Sequence, residues 1–170
     1  MGIICAAPPK RPKTLECASL CELYSRFEEL FLCNEGVIDS CCEHTITVFD
    51  HNFFHLAKVD LPGKPKILMN EYKEAILACK DGFGCFQVEI SRAKYLTSAI
   101  ETFKEPNEVW EGNKKATARW VYVKEYDSPP YPFSIGLVTE RESGLLVPMS
   151  SFPCKRGDVK KWRNGILIYP

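Results

Sequence analysis

Two of the three histidines, His51 and His55, lie four residues apart. Positions four apart share one face in a helix and in a strand, so we expect the two imidazoles to be neighbours. Histidine titrates near neutral pH, and such a pair can supply a general acid and a general base. The pair could equally bind a metal ion. In a simpler interpretation, one ring bonds a backbone carbonyl and the other faces solvent.

A second group of possible metal ligands lies in the first quarter of the chain. Its members are five cysteines and one histidine: Cys17, Cys21, Cys33, Cys41, Cys42 and His44. They are numerous enough for zinc, but they lack the tight C-x2-C pairs of structural zinc sites. The chain has nine cysteines and no recognisable secretory signal, so we expect reduced thiols that pack as small apolar side chains. We predict no metal and no other cofactor.

An alternating segment over residues 118–126 combines aromatic rings with a lysine. One face of the predicted strand carries Trp120, Tyr122, Lys124 and Tyr126. Rings that stack on bases and a lysine that contacts phosphate are typical of proteins that bind single-stranded nucleic acid. Alternatively, Trp120 and Tyr122 form the core side and Arg119 lies outside. The periodicity favours neither interpretation.

Two further features lie near the end of the chain. Between residues 154 and 163 five bases stand against one acid, and they include Lys160, Lys161 and Arg163. Such a run is usually a solvated loop, but beside the aromatic-lysine face it could extend a track for phosphates. Ser150 lies near the end of a predicted strand, and no Gly-x-Ser-x-Gly motif surrounds it. A serine hydrolase is therefore not indicated.

The composition is that of an ordinary globular protein, with 45% hydrophobic and 26% charged residues in a chain of 170. No apolar run reaches the roughly 18 residues that span a bilayer, so we expect a cytoplasmic protein that does not contact a membrane. The net charge is zero, but residues 14–50 carry −7 and residues 114–170 carry +5. A polyanion would therefore meet the C-terminal part.

The hydrophobic periodicity predicts a flexible arm over residues 1–13, followed by a single α+β domain over 14–170. Helices are expected over 14–33, 70–80 and 91–103, and residues 51–60 are expected to be extended or irregular. Strands are predicted over 45–50, 117–126, 132–141, 144–152 and 166–169. A tight turn over 142–144 should join two of these strands into a hairpin.

Five segments, taken in order, carry a resemblance to a known family. They are 48–56 (VFDHNFFHL), 91–96 (SRAKYL), 105–110 (EPNEVW), 122–126 (YVKEY) and 150–153 (SSFP). Together they resemble phage-associated members of the barnase/EndoU/colicin/RelE-like nuclease superfamily, over about residues 45–170. The resemblance implies helices packed on one face of a curved antiparallel sheet. It also implies a toxin-like or phage-associated endoribonuclease whose RNA substrate attacks itself through a 2′-hydroxyl, without a metal, to leave a 2′,3′-cyclic phosphate.

The resemblance also implies roles for individual residues. His55 would act as base or acid with His51 as its partner, Arg92 and Lys124 would stabilise the phosphorane, and Ser150 would donate a hydrogen bond to a phosphate oxygen. Residues expected to bind RNA are Trp120, Tyr122, Tyr126, Lys160, Lys161 and Arg163. Expected partners are RNA and a cognate immunity or antitoxin protein. The alternative is a non-catalytic phage or toxin-associated interaction module that retains the fold.

Overall fold

The computed structural model describes residues 17–57, 74, 87–89, 95–114, 117–127 and 131–170, and every structural statement below concerns these residues. The strands are β1 (Cys17–Ser19), β2 (Val37–Asp39), β3 (Thr45–Thr47), β4 (Gln87–Glu89), β5 (Glu108–Glu111), β6 (Trp120–Glu125), β7 (Phe133–Glu140), β8 (Leu146–Cys154) and β9 (Ile166–Tyr169). The helices are α1 (Leu20–Phe27), which continues as a π-helix (Glu28–Leu32), α2 (Asn52–Ala57), α3 (Leu96–Lys104) and a 3-10 helix (Val159–Lys161).

Seven strands form one sheet in the order β2-β3-β8-β7-β6-β5-β9, and β1 pairs separately with β4. Neighbours in the sheet are antiparallel except β3 and β8, which pair in parallel through Ile46 and Leu146. The longer strands β6, β7 and β8 are rich in valine, isoleucine and aromatic residues, which suit a pleated, half-buried backbone. Gly144, with a φ of 78°, makes the tight turn between β7 and β8.

Helices α1, with its π-helix, α2 and α3 cover one face of the sheet, called here the helical face. On the continuous helical segment of α1 and the π-helix, Phe27 and Phe31 are four residues apart and share one side. Both are buried together with Phe53 of α2 and Phe103 of α3. Below Phe103 the sheet has Gly136, where a Cβ atom would lie 2.6 Å from Cε1 of the ring. The missing side chain therefore lets α3 pack close to β7.

The opposite face, called here the outer face, is partly covered by residues 155–164. Val121 of β6 is buried on this face in a second apolar cluster that includes Val159 of the 3-10 helix. Glu108 of β5 accepts hydrogen bonds from Nε and Nη2 of Arg163, both at 2.8 Å. This bidentate pair fastens the C-terminal segment to the sheet.

The sheet curls around the helical face. Tyr169 on the outermost strand β9 packs against the same core cluster as Cys42, which lies between β2 at the other edge and β3. His44, just before β3, reaches Tyr122 on β6, with 2.7 Å between Nδ1 and the phenol oxygen. Residues from separated strands thus meet across the helical face, and the sheet forms a half-barrel around the helical core.

The predicted α+β class with helices on one face of a curved sheet is confirmed. The strand predicted over 166–169 has those bounds, and the three strands before it differ by a few residues at their ends. The turn at 142–144 is also confirmed by a hydrogen bond of 2.9 Å from the Arg141 amide to the Leu145 carbonyl.

Four expectations were wrong. Residues 17–19 form a strand, so the first helix begins later than predicted, and residues 52–57 are helical where extended or irregular chain was expected. Strands β2, β4 and β5, each three or four residues long, were not predicted. The sheet is mixed because of the β3–β8 pair. The predicted arm over 1–13, nearly all of the helix over 70–80 and the start of the helix over 91–103 lie outside the described residues.

Candidate functional site

His51 lies near the end of β7, and His55 belongs to α2, which packs on the helical face. His51 immediately precedes α2, and His55 is exposed one helical turn further along. Arg141, the residue after β7, places its Nη2 3.0 Å from Nε2 of His51. The His51 ring stacks on Phe49 with 5.5 Å between centroids and an interplanar angle of 6°. We call His51, His55 and Arg141 the histidine corner.

A buried asparagine fixes this corner to the sheet. The Asn52 side-chain oxygen accepts a hydrogen bond of 2.7 Å from the Phe49 amide, as is usual at the start of a helix. Its Nδ2 donates to the Pro148 carbonyl on β8 at 3.2 Å. On the same segment, Asp50 accepts a hydrogen bond of 2.7 Å from the Tyr24 hydroxyl of α1. The residues on both sides of His51 are therefore held by other elements.

The contact with Arg141 fixes the protonation pattern of the His51 ring. A guanidinium only donates hydrogen bonds, so Nε2 of His51 must be the acceptor. An imidazole that accepts at Nε2 is neutral and carries its proton on Nδ1. A neutral imidazole can act as a general base, and the neighbouring guanidinium is a group that binds phosphate.

Lys124 is not brought to the histidine corner. It pairs with Ser134 near the start of β7, whereas Arg141 follows the end of that strand. Seven residues of extended chain separate these positions, roughly 23 Å at 3.3 Å per residue. Lys124 Nζ donates to the Glu105 carbonyl at 2.8 Å and is 3.8 Å from the Glu105 carboxylate. The side chain is thus held at the end of α3.

Ser150 lies on the other face of the sheet from Lys124. Directly paired residues point to the same side, and Ser150 pairs with Leu137, which in turn pairs with Val121 on the outer face. Lys124 is two residues from Tyr122 on β6, so both side chains point to the helical face. The structure therefore separates these two predicted site residues.

The expectation that Trp120 and Tyr122 offer open rings to RNA bases was wrong. Trp120 is 7% exposed and Tyr122 is fully buried, and both belong to the core under the helices. The valines on the other face of the same strand are also buried, by the C-terminal segment. The alternative with Trp120 and Tyr122 on the core side and Arg119 outside is confirmed, and the other face of β6 is covered as well.

Tyr126, just beyond β6, remains accessible at a cavity. Its hydroxyl is 2.9 Å from a carboxylate oxygen of Glu101 and 3.3 Å from the Ser98 carbonyl. Burial, together with the Glu101 carboxylate, raises the pKa of Tyr126 to about 12, so the phenol stays protonated at neutral pH. Tyr95 and Tyr131 line the same cavity, and no sequence pattern indicates this grouping.

The remaining predicted RNA-binding residues differ in their surroundings. Lys160 and Lys161 are exposed on the 3-10 helix, where polyanion contacts remain open to them. Arg163 is already paired with Glu108 and has a side-chain exposure of 32%. Arg92 lies outside the described residues, three positions before Tyr95.

The cysteine-histidine group does not gather into a metal site. Within the described ranges, no three His, Cys, Asp or Glu side chains lie close enough to hold a metal ion. Cys33, Cys41, Cys42 and Cys154 are free thiols. Cys21 is disulfide-bonded, so the expectation of uniformly reduced cysteines was wrong at that position.

His44 instead has a structural role with Tyr122. Burial lowers the pKa of His44 below 6.5, Glu111 opposes this change, and Arg119 adds to it. Burial also strongly raises the pKa of Tyr122, so the phenol keeps its proton and can donate it to Nδ1 of His44. The neutral ring is the form that fits the folded protein.

We predict that this pair makes stability fall in mild acid. The unfolded chain protonates His44 near pH 6.5 and the folded chain at a lower pH, so stability declines as pH falls below about 6.5. The slope is at most ~1.4 kcal/mol per pH unit for one proton, and solvent reduces it at this partly exposed ring. Urea unfolding at pH 7.5 and pH 5.5 measures it. The His44→Gln variant should lose part of the difference, and an unchanged difference would contradict the assignment.

Comparison with known families identifies the C-terminal two thirds of the chain. A family model described as "phage-Barnase-EndoU-ColicinE5/D-RelE like nuclease2" matches residues 52–170. The chain belongs to this nuclease family. The half-barrel and its few helices are consistent with the fold of such nucleases, and membership implies a nucleic-acid substrate. The match contains His55, Arg92, Lys124 and Ser150 and begins one residue after His51.

Two further comparisons give negative results. Searches of curated proteins and of solved structures find no significant match. In the described part of this nuclease-family chain, no helix has the length and apolar character needed to cross a membrane.

Proposed function

We propose that the protein is a metal-independent endoribonuclease, phage-associated or toxin-like, that leaves a 2′,3′-cyclic phosphate. The proposal depends mainly on the contact between Arg141 and His51, beside the exposed His55. Transfer of a phosphoryl group to a neighbouring hydroxyl needs a general base, a general acid and a cation that stabilises the phosphorane. Two imidazoles and a guanidinium can supply these three roles. Membership of a nuclease family supports the substrate class.

In the proposed reaction, His51 acts as the general base. Its Nε2 takes the proton of the 2′-hydroxyl, and the 2′-oxygen attacks the adjacent phosphorus. The bond from phosphorus to the 5′-oxygen breaks, and protonated His55 gives its proton to that oxygen. Arg141 turns from His51 to the phosphate and offsets the charge that develops on its oxygens. Water is not consumed in this step, and the cyclic phosphate is the product.

The other predicted site residues receive roles away from the reacting phosphorus. RNA phosphates would be contacted by Lys124, whose ammonium lies near the end of α3, and by the exposed Lys160 and Lys161. We retain Arg92 as a phosphate ligand on the strength of the family resemblance. Ser150 would contact RNA only if the substrate also crosses the outer face.

The proposed setting is the cytoplasm, with a cognate immunity or antitoxin protein as partner. Structural disulfides persist mainly in oxidising environments, so the redox state of Cys21 in the cell tests the proposed compartment. Thiol trapping of the protein from intact cells decides the point. A free Cys21 thiol supports a cytoplasmic location, and an oxidised one contradicts it.

Cleavage of matched oligonucleotides in EDTA tests the proposed function. Unmodified RNA should be cut, and DNA and 2′-O-methyl RNA of the same sequence should stay intact, because neither has a free 2′-hydroxyl. Loss of RNA cleavage in EDTA, or cleavage of the 2′-O-methyl strand, would contradict the mechanism. Binding without cleavage of any strand would instead favour the non-catalytic interaction module.

A further inference from the structure

We propose that the cavity between α3 and the adjoining ends of β6 and β7 binds one unpaired RNA base. The cavity has a volume of about 190 Å³. Its lining includes Tyr95, Ser98, Tyr126, Tyr131 and Ser134. The inference rests on the proposed function, because it assigns a binding position to the same RNA substrate. Below, this site is called the tyrosine cavity.

Aromatic rings form the accessible walls of the tyrosine cavity. The rings of Tyr95 and Tyr131 are perpendicular, with 6.3 Å between their centroids. Tyr131 is 37% exposed, so its ring is open to an incoming group. Stacking on aromatic side chains is the main way that proteins hold unpaired bases. A base inside a duplex is already stacked and paired, so the cavity favours single-stranded RNA.

The third ring is held in place before any ligand binds. The hydroxyl of Tyr126 donates to Glu101 at 2.9 Å, which fixes the ring against α3. A side chain that is already ordered loses little conformational entropy when a ligand binds. The hydroxyl groups of Ser98 and Ser134 can each donate or accept a hydrogen bond. Because such groups pair with either kind of base edge, we expect weak preference among the four bases.

Basic side chains lie next to the tyrosine cavity, where the RNA backbone would run. Tyr126 also lines a neighbouring cavity of about 560 Å³, whose charged lining residues are Lys155 and Arg156 together with Glu125 and Asp127. Arg156 is 3.7 Å from Glu125, but both side chains are largely exposed, and such a pair is weak in water. Both cations are therefore accessible to phosphate.

The position of the tyrosine cavity predicts a requirement on substrate length. Tyr131 precedes β7 and Arg141 follows it, so the base site and the histidine corner lie at opposite ends of this strand. Eight residues of strand span about 26 Å. The base held by Tyr131 is therefore several nucleotides away from the cleaved bond, and very short RNA cannot occupy both sites.

Anisotropy of a dye-labelled 2′-O-methyl RNA single strand tests this inference without cleavage. Wild type should bind, and Tyr131→Phe, which keeps the ring, should bind within about twofold. Tyr131→Leu and Tyr131→Ala should bind about 5- to 100-fold more weakly, the range that loss of one stacked base gives. The leucine variant is the matched control, because it keeps an apolar side chain without an aromatic face. Tyr131 is partly exposed, so these variants should fold normally.

Salt dependence separates stacking from phosphate contact. Tyr131→Leu should weaken binding equally at all salt concentrations. Lys155→Ala should instead reduce the slope of log affinity against log salt concentration by roughly one. Wild-type affinity in Tyr131→Leu, no binding by the wild type, or equal binding of the duplex form would overturn the inference. If the modified strand binds through Tyr131 but unmodified RNA is never cut, the base site is supported and the proposed ribonuclease activity fails.

Discussion

Replacing His51 by alanine should lower the rate of RNA cleavage by about 10²- to 10⁴-fold, the usual contribution of a positioned general base. The imidazole accepts a hydrogen bond from Arg141 at 3.0 Å and is the only base that we assign to the 2′-hydroxyl proton. His55→Ala should cause a loss of similar size, because the leaving oxygen then lacks its acid. Single-turnover cleavage of a labelled RNA in EDTA measures both effects.

Controls on RNA binding and on folding show whether the loss of cleavage rate is specific to the chemical step. His51→Ala should bind 2′-O-methyl RNA within a few-fold of wild type and should unfold at a similar urea concentration. Arg26→Ala is the matched arginine control, because Arg26 is exposed and pairs with Glu29 on its own helical segment. Arg141→Ala should lose activity that Arg141→Lys only partly restores, since lysine lacks the planar fork. Wild-type rates in both histidine variants would remove the proposed site.

Phe103→Ala should destabilise the protein by about 3–5 kcal/mol, the usual loss for a large ring in a packed core. The ring is fully buried and meets the edge or face of Tyr122 at a centroid distance of 5.8 Å. The ring also fills the space above Gly136, which has no side chain that could fill this space in the variant. Urea unfolding followed by tryptophan fluorescence measures the change.

Gly136 provides the reciprocal test of this packing. Gly136→Ala alone should cost about 1–3 kcal/mol, because its methyl group would lie 2.6 Å from the Phe103 ring. In the Phe103→Ala background the same methyl has room, so the added cost should disappear. A double-mutant cycle therefore gives a strong interaction energy. Additive effects would contradict the close approach of α3 to β7.

The end of the chain was predictable because its signals are local. Alternation between apolar and polar residues identifies β7, and Gly144 identifies the turn into β8, without knowledge of distant residues. The short strand β5 has only four residues and no alternation of its own. It forms because β6 and β9 lie on either side and pair with it.

The candidate site was less predictable, because it depends on the folded arrangement. Spacing predicts that His51 and His55 are neighbours, but Arg141 reaches His51 only because the end of β7 lies beside the start of α2. Periodicity also could not show that both faces of β6 are buried, since a strand with one open face has the same alternation. The tyrosine cavity likewise gathers Tyr95 and Tyr131 from distant segments of the chain.

The most direct test is the chemistry of the new RNA ends. Wild-type protein is incubated with a short RNA in EDTA, and the fragments are analysed by mass spectrometry. We predict that one fragment ends in a 2′,3′-cyclic phosphate and the other begins with a 5′-hydroxyl, and that His51→Ala forms neither at a comparable rate. Fragments with a 5′-phosphate and a 3′-hydroxyl would contradict attack by the 2′-hydroxyl.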